Sequence, residues 1–259
     1  GDVPPVPPGP GPGPAGPGSG SAGPGWRSSH NDEKPRLLRK AAPSGRQRLD
    51  ESPDFAAATS VEEVEELLRE RLPEHVVVDL SGIDVQHART IGAELAAHAE
   101  EWPEAAQMLQ RVGTHYNSAS GDYAVTDQNG ASIEFNTLWW DQYPPLRRLT
   151  EEAEENGRVP AGTGNVAGIA CEEWGHQIKN WIDRTPYGVE LDRWLDEHGL
   201  PSELYTLGED DMDTIERERQ EMFGRGFRIL AMTPDSSHPW VVGLRAELER
   251  IVGLIREPS

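Results

Sequence analysis

From Ser60 onward, apolar residues recur every three or four positions in most stretches and every second position in one. Ser60 opens the first periodic stretch, with Glu63 three residues on as a capping box and Val61, Val64, Leu67 and Leu68 as its apolar stripe. Pro73 ends that helix. Val76, Val77 and Val78 then give a short extended segment before the loop at Gly82. A second helix is predicted from Asp84 to about Trp102, with Ile91, Leu95 and Ala96 on one face, and Ala105 to Leu109 adds a further helical piece after Pro103. Between Val112 and Asn136 the period shortens to two. Tyr123–Thr126 and Ser132–Phe135 flank Asn129-Gly130, a pair that tolerates positive φ and marks a hairpin. Helical spacing returns from about Pro145, then over Asn165–Ile182, Val189–His198, Thr214–Met232 and Pro239–Ile255. Gly199 stops one of these helices, and a polar loop fills Glu203–Asp213. The pattern predicts an α+β fold in which a small antiparallel sheet accompanies a predominantly helical body.

Composition changes the picture at the N-terminus. Residues 1 to 25 hold nine prolines and nine glycines, so residues 1–58 are expected to be a disordered Pro/Gly-rich tail and linker, with one domain over 59–259. A first residue that is Gly rather than Met suggests a fragment or processed product. Of the net charge of −21, residues 1 to 56 contribute +1 (seven Lys/Arg, six Asp/Glu) and the rest −22. A body this acidic repels phosphate backbones, so no nucleic acid is expected on the folded domain. The basic cluster Lys34, Arg36, Arg39, Lys40, Arg46 and Arg48 reads as a solvated linker. Cys171 is the single cysteine, which excludes an intrachain disulfide. No apolar run approaches the roughly 20 residues of a membrane span, so a soluble chain with no membrane partner is expected.

The candidate chemistry lies on the helix from Asn165. Glu172-Glu173-Trp174-Gly175-His176 resembles the H-E-x-x-H arrangement, in which two histidines at i and i+4 hold zinc and the intervening glutamate activates water. His176 stands at the second ligand position and Glu173 at that of the general base, but the first ligand position holds Glu172. A carboxylate also binds zinc, so that change alone does not exclude a metal. A solvated acidic helix face gives the same spacing. Gly175 in mid-helix costs about 1 kcal/mol against alanine and points to a close backbone approach.

Together with Phe135-Asn136 and the loop Pro160-Ala161-Gly162-Thr163-Gly164, this order resembles the zincin-like metallopeptidase domains of minor capsid (head-assembly) proteins of actinobacteriophages. It is more distantly similar to the catalytic domain of anthrax lethal factor. The resemblance covers about three quarters of the chain and implies a zincin-like fold. It matches Gln220–Phe227 to a later ligand helix and thereby implies Glu221 as third metal ligand. Arg225 stands where a supporting acid belongs. Glu172 and Arg225 are then expected to form a salt bridge in place of a histidine and its acidic partner. Tyr205 falls where related enzymes carry a tyrosine that stabilises the transition state.

Three readings stay open. The resemblance implies a degenerate (pseudo-)metallopeptidase with a structural or interaction role among phage head proteins, expected to be free of metal and located in the virion or host cytoplasm. Alternatively it is an active zinc endopeptidase on peptide substrates, with Glu173 as base and a Glu172/His176/Glu221 site. The third alternative is a non-enzymatic binding domain with superficial resemblance. Cys171 is no nucleophile for His176, because five residues along a helix set them about 140° apart. His87 and His98 are expected to be solvated or core residues, and Trp139, Trp140, Trp174, Trp181, Trp194 and Trp240 to line core and cleft.

Overall fold

The computed structural model describes residues 47–119, 122–205 and 214–257. A 3-10 turn, Arg48–Glu51, leads into α1 (Pro53–Ala57), α2 (Val61–Arg71), β1 (Val77–Val78), α3 (Val85–Glu101) and α4 (Pro103–Ala106). The strands β2 (Arg111–His115), β3 (Ala124–Thr126) and β4 (Ser132–Asn136) follow, then α5 (Thr137–Trp140) and α6 (Tyr143–Glu155). The chain closes with α7 (Val166–Asp183), α8 (Gly188–His198), α9 (Ile215–Met232) and α10 (Pro239–Arg256). The class is α+β. Ser60, Asp84, Asn165 and Thr214 each accept a backbone N–H from the first turn of the helix they open, which satisfies donors that the helix itself leaves over.

The sheet is mixed, not antiparallel as the hairpin alone suggests. Its order is β1-β2-β4-β3. β1 pairs parallel with β2 (Val78 opposite Val112), β2 parallel with β4 (Val112 opposite Ile133), and β3 antiparallel with β4 (Val125 opposite Glu134). The reason is the crossover: α3 carries the chain from β1 back to the start of β2, and a helical return forces parallel pairing. The predicted hairpin is present, with Gly130 at φ +65° in its turn.

The folded body also begins before residue 59. Phe55 on α1 is 1% exposed, and its ring lies where a Cβ on Gly92 of α3 would stand, 2.6 Å away. The tail prediction therefore ran too far, because one aromatic in a polar stretch carries no periodicity. Residues 1–46, including most of the predicted tail and basic cluster, lie outside the described residues, as does 206–213 of the polar loop.

α7 is the central element. Its Gln177 amide donates to the Ala105 and Gly130 carbonyls at 2.8 and 3.0 Å, and Asn180 donates to the Asp127 carbonyl at 3.0 Å. These bonds fasten one side of α7 to α4 and to the hairpin turn. The opposite side crosses α9 at glycine: a Cβ on Gly175 would meet Gly224 Cα and Phe227 Cβ, each at 2.9 Å. The mid-helix glycine thus allows two backbones to touch. Trp174 and Trp140 are fully buried in the core around α7 and the sheet, consistent with the packing role expected for them.

Candidate functional site

The sequence-predicted residues converge where α7 crosses α9. Glu172 and His176 lie one turn apart on α7 and Glu221 approaches from α9, so that one donor atom of each lies within 4.8 Å of the others. A Cβ on Gly224 would collide with the His176 ring, so this glycine makes room for the imidazole. Arg225 Nε donates to Glu172 Oε1 at 3.4 Å, and its Nη2 lies 3.3 Å from Glu221 Oε2. Tyr205 lays its ring against the Arg225 guanidinium, 4.5 Å from ring centre to Cζ. Burial, reinforced by Glu172, raises the Tyr205 phenol to about 12, so it stays protonated near neutrality.

Arg228 carries no mark in the sequence beyond its helical phase. Arg228 lies one turn beyond Arg225 on α9 and is 5% exposed. Its Nη1 donates to Glu172 Oε2 at 2.9 Å, while Nε and Nη2 both donate to the Thr163 carbonyl at 3.1 and 2.5 Å. A Cβ on Gly168 would sit 2.6 Å from Arg228 Nε, so Gly168 opens the space for the fork. Arg228 therefore links the loop before α7, α7 itself and α9. The only signal in the sequence was its helical phase, seven residues from Glu221.

Glu173 is bound to the sheet edge. The Thr126 hydroxyl on β3 donates to Glu173 Oε2 at 2.7 Å and to its backbone carbonyl at 3.0 Å. Burial lifts the Glu173 pKa from an ordinary 4.5 to about 7, against the pull of His176 and the Thr126 hydroxyl. For a raised acid, the folded state holds its proton more tightly than the unfolded state does. That contribution is complete below about pH 4.5 and is lost as the pH climbs through about 7, amounting to on the order of 3 kcal/mol. Glu173→Gln is expected to flatten the fall in stability between about pH 5 and about pH 8, read by urea denaturation of both proteins. Equal pH dependence in the two proteins would contradict the assignment.

Asn136 ends β4 as the resemblance requires, but its work is local. Its side chain accepts from Asn117 N and Leu138 N and donates to the carbonyls of Asn117 and Asp122. It pins the β2–β3 loop and starts α5. Cys171 is buried and faces away from His176, beside His98 instead. His87 and His98 are both core residues, at 0% and 1% exposure.

The electrostatics decide what the convergence can hold. Burial opposes the Glu172 carboxylate, yet Arg228, Arg225 and His176 outweigh it and keep its pKa below the ordinary value. Burial likewise opposes the His176 imidazolium, while Glu221, Glu173 and Glu172 outweigh it and raise its pKa. Two guanidiniums thus answer the two carboxylates of Glu172 and Glu221 without a metal. A divalent ion placed among them would face two fixed cations a few ångströms away, each repelling it by several kcal/mol at an effective dielectric of about 20. The residues as they stand do not fit zinc. No family model, curated protein or solved structure matches the chain. No described helix is long and apolar enough to cross a membrane.

Proposed function

We propose that this is a zincin-like domain whose metal centre has been replaced by an ion-pair network, and that it serves as a structural or interaction module instead of a peptidase. The observation that carries the proposal is the grip of two arginines on Glu172: Arg228 at 2.9 Å and Arg225 at 3.4 Å occupy both oxygens of the residue at the first ligand position. The chain order supports the zincin resemblance: a β-hairpin, the loop 160–164, α7 with Glu173 and His176, then α9 with Glu221. Partners follow from the resemblance alone and are proteins of a phage head.

One observation favours the alternative of a working peptidase. Glu173 is buried beside β3 with its pKa near neutrality, as a general base requires. A single assay separates the two. The full chain is incubated with unstructured peptides and added zinc, alongside Glu173→Gln, and products are read by mass spectrometry. The proposal expects no cleavage that depends on Glu173. Cleavage abolished both by a chelator and by Glu173→Gln would overturn it and establish the peptidase.

A further inference from the structure

A second cluster of donors lies on the far side of α7, and the proposal above does not use it. Glu94 and His98 stand four residues apart on one face of α3, Cys171 comes from α7 and Met232 from the end of α9. Each of the four is 1% exposed. His98 Nε2 lies 3.4 Å from Cys171 Sγ and 3.8 Å from Glu94 Oε2, Cys171 Sγ lies 3.5 Å from Glu94 Oε2, and Met232 Sδ lies 3.7 Å from Cys171 Sγ. Zinc binds sulfur at about 2.3 Å and nitrogen or oxygen at about 2.0–2.2 Å, so tetrahedral donors around it stand about 3.3–3.8 Å apart. These four separations fall in that range; the first three close a triangle of Glu94, His98 and Cys171, which Met232 joins through Cys171.

The surroundings orient the donors. The backbone N–H of Arg48 donates to Glu94 Oε1 at 2.8 Å, which fixes the carboxylate and aims Oε2 at the cluster. The His98 ring lies 6.1 Å from Trp174, nearly parallel to it, and 5.4 Å from Phe227, edge-on. A hydrogen bond behind a ligand, as Arg48 gives Glu94, is part of what sets a metal site's geometry. A thiol, an imidazole and a carboxylate taken together out of water are costly to bury, and a cation shared among them offsets that cost.

We propose that Glu94, His98 and Cys171, with the Met232 thioether at the fourth corner, form a closed structural site for a thiophilic closed-shell ion, zinc(II) or copper(I). Thiolate, thioether and imidazole donors select such ions. On binding, the Cys171 thiol releases its proton to solvent and a sulfur–metal bond forms. Four protein donors leave no open position, so the ion would tie α3, α7 and α9 together and perform no chemistry. Because the cluster is buried, uptake accompanies folding.

The test uses the full chain, refolded under reducing conditions. In one arm cobalt(II) stands in for zinc, and in the other copper(I) competes with a chromogenic chelator. One equivalent of either ion is expected. For cobalt, a thiolate charge-transfer band in the near ultraviolet is expected that zinc displaces, that disappears in Cys171→Ser and that survives in Glu221→Gln. Survival in Glu221→Gln separates this cluster from the Glu172 centre, so its failure and that of the proposed function are distinguishable. If the wild-type chain shows neither the cobalt–thiolate band nor stoichiometric copper(I), the four side chains are only a hydrogen-bonded core and the proposal falls. That outcome requires no variant to fold.

Discussion

Replacing Arg228 by leucine is expected to destabilise the domain by about 3–5 kcal/mol, the cost of leaving a buried charge without its partner. Its guanidinium makes three hydrogen bonds to two elements, Glu172 on α7 and the Thr163 carbonyl before it. Leucine fills much of the space but answers neither acceptor. Arg225 keeps its contact with Glu172 at 3.4 Å, too long to compensate for the loss of the 2.9 Å bond. The pair is separable by a double-mutant cycle. Glu172→Leu added to Arg228→Leu removes the stranded carboxylate and is expected to recover much of the loss, because apolar pairs often replace buried ion pairs at little cost. Urea midpoints of the four proteins supply the measurement. If Arg228→Leu costs less than about 1 kcal/mol, or if Glu172→Leu gives no recovery, Arg228 is not what holds Glu172.

The legibility of this site in the sequence was uneven for physical reasons. α7 was readable because its cap, Asn165, and its apolar face are local features, and Gly175 announced a close crossing because glycine is costly in a helix. The helices at Ser60, Asp84 and Thr214 were readable for the same reason, each starting at a capping side chain. Arg225 entered through the resemblance, which matches Gln220–Phe227 to a ligand helix and puts Arg225 where a supporting acid belongs. Arg228 did not, because its partners lie 56 and 65 residues away and nothing local marks an arginine that folds inward. Thr126 was equally silent: its bond to Glu173 spans the gap between a strand and a helix. The sheet order was hidden because β1 is two residues long and parallel pairing leaves no trace in local alternation. His98 reads as a solvated or core histidine and Glu94 carries no signal at all, since neither Met232 nor the 3-10 turn at Arg48 is near them in sequence.

Arg228 also alters what would restore a metal centre. Changing Glu172→His and Arg225→Glu rebuilds the ligand and its supporting acid on paper, yet it leaves the Arg228 guanidinium at the same crossing. A cation near a divalent ion raises its binding free energy by several kcal/mol at an effective dielectric of about 20. The double variant is therefore expected to gain little affinity for zinc at this centre. Adding Arg228→Gln removes the last fixed positive charge while keeping a donor for the Thr163 carbonyl. The triple variant is expected to bind one zinc beyond the wild-type content, with at least on the order of 100-fold higher affinity than the double variant. Titration with a competing chelator measures both, and a further His176→Ala change should abolish the added equivalent while leaving any zinc in the Cys171 cluster. A triple variant that takes up no more zinc than the wild-type chain would mean that Glu172, His176 and Glu221 are not a vacated ligand set, and that the charges at this crossing serve packing alone. A gain in the double variant equal to that in the triple would instead show that Arg225, the cation already visible in the sequence, is the whole barrier.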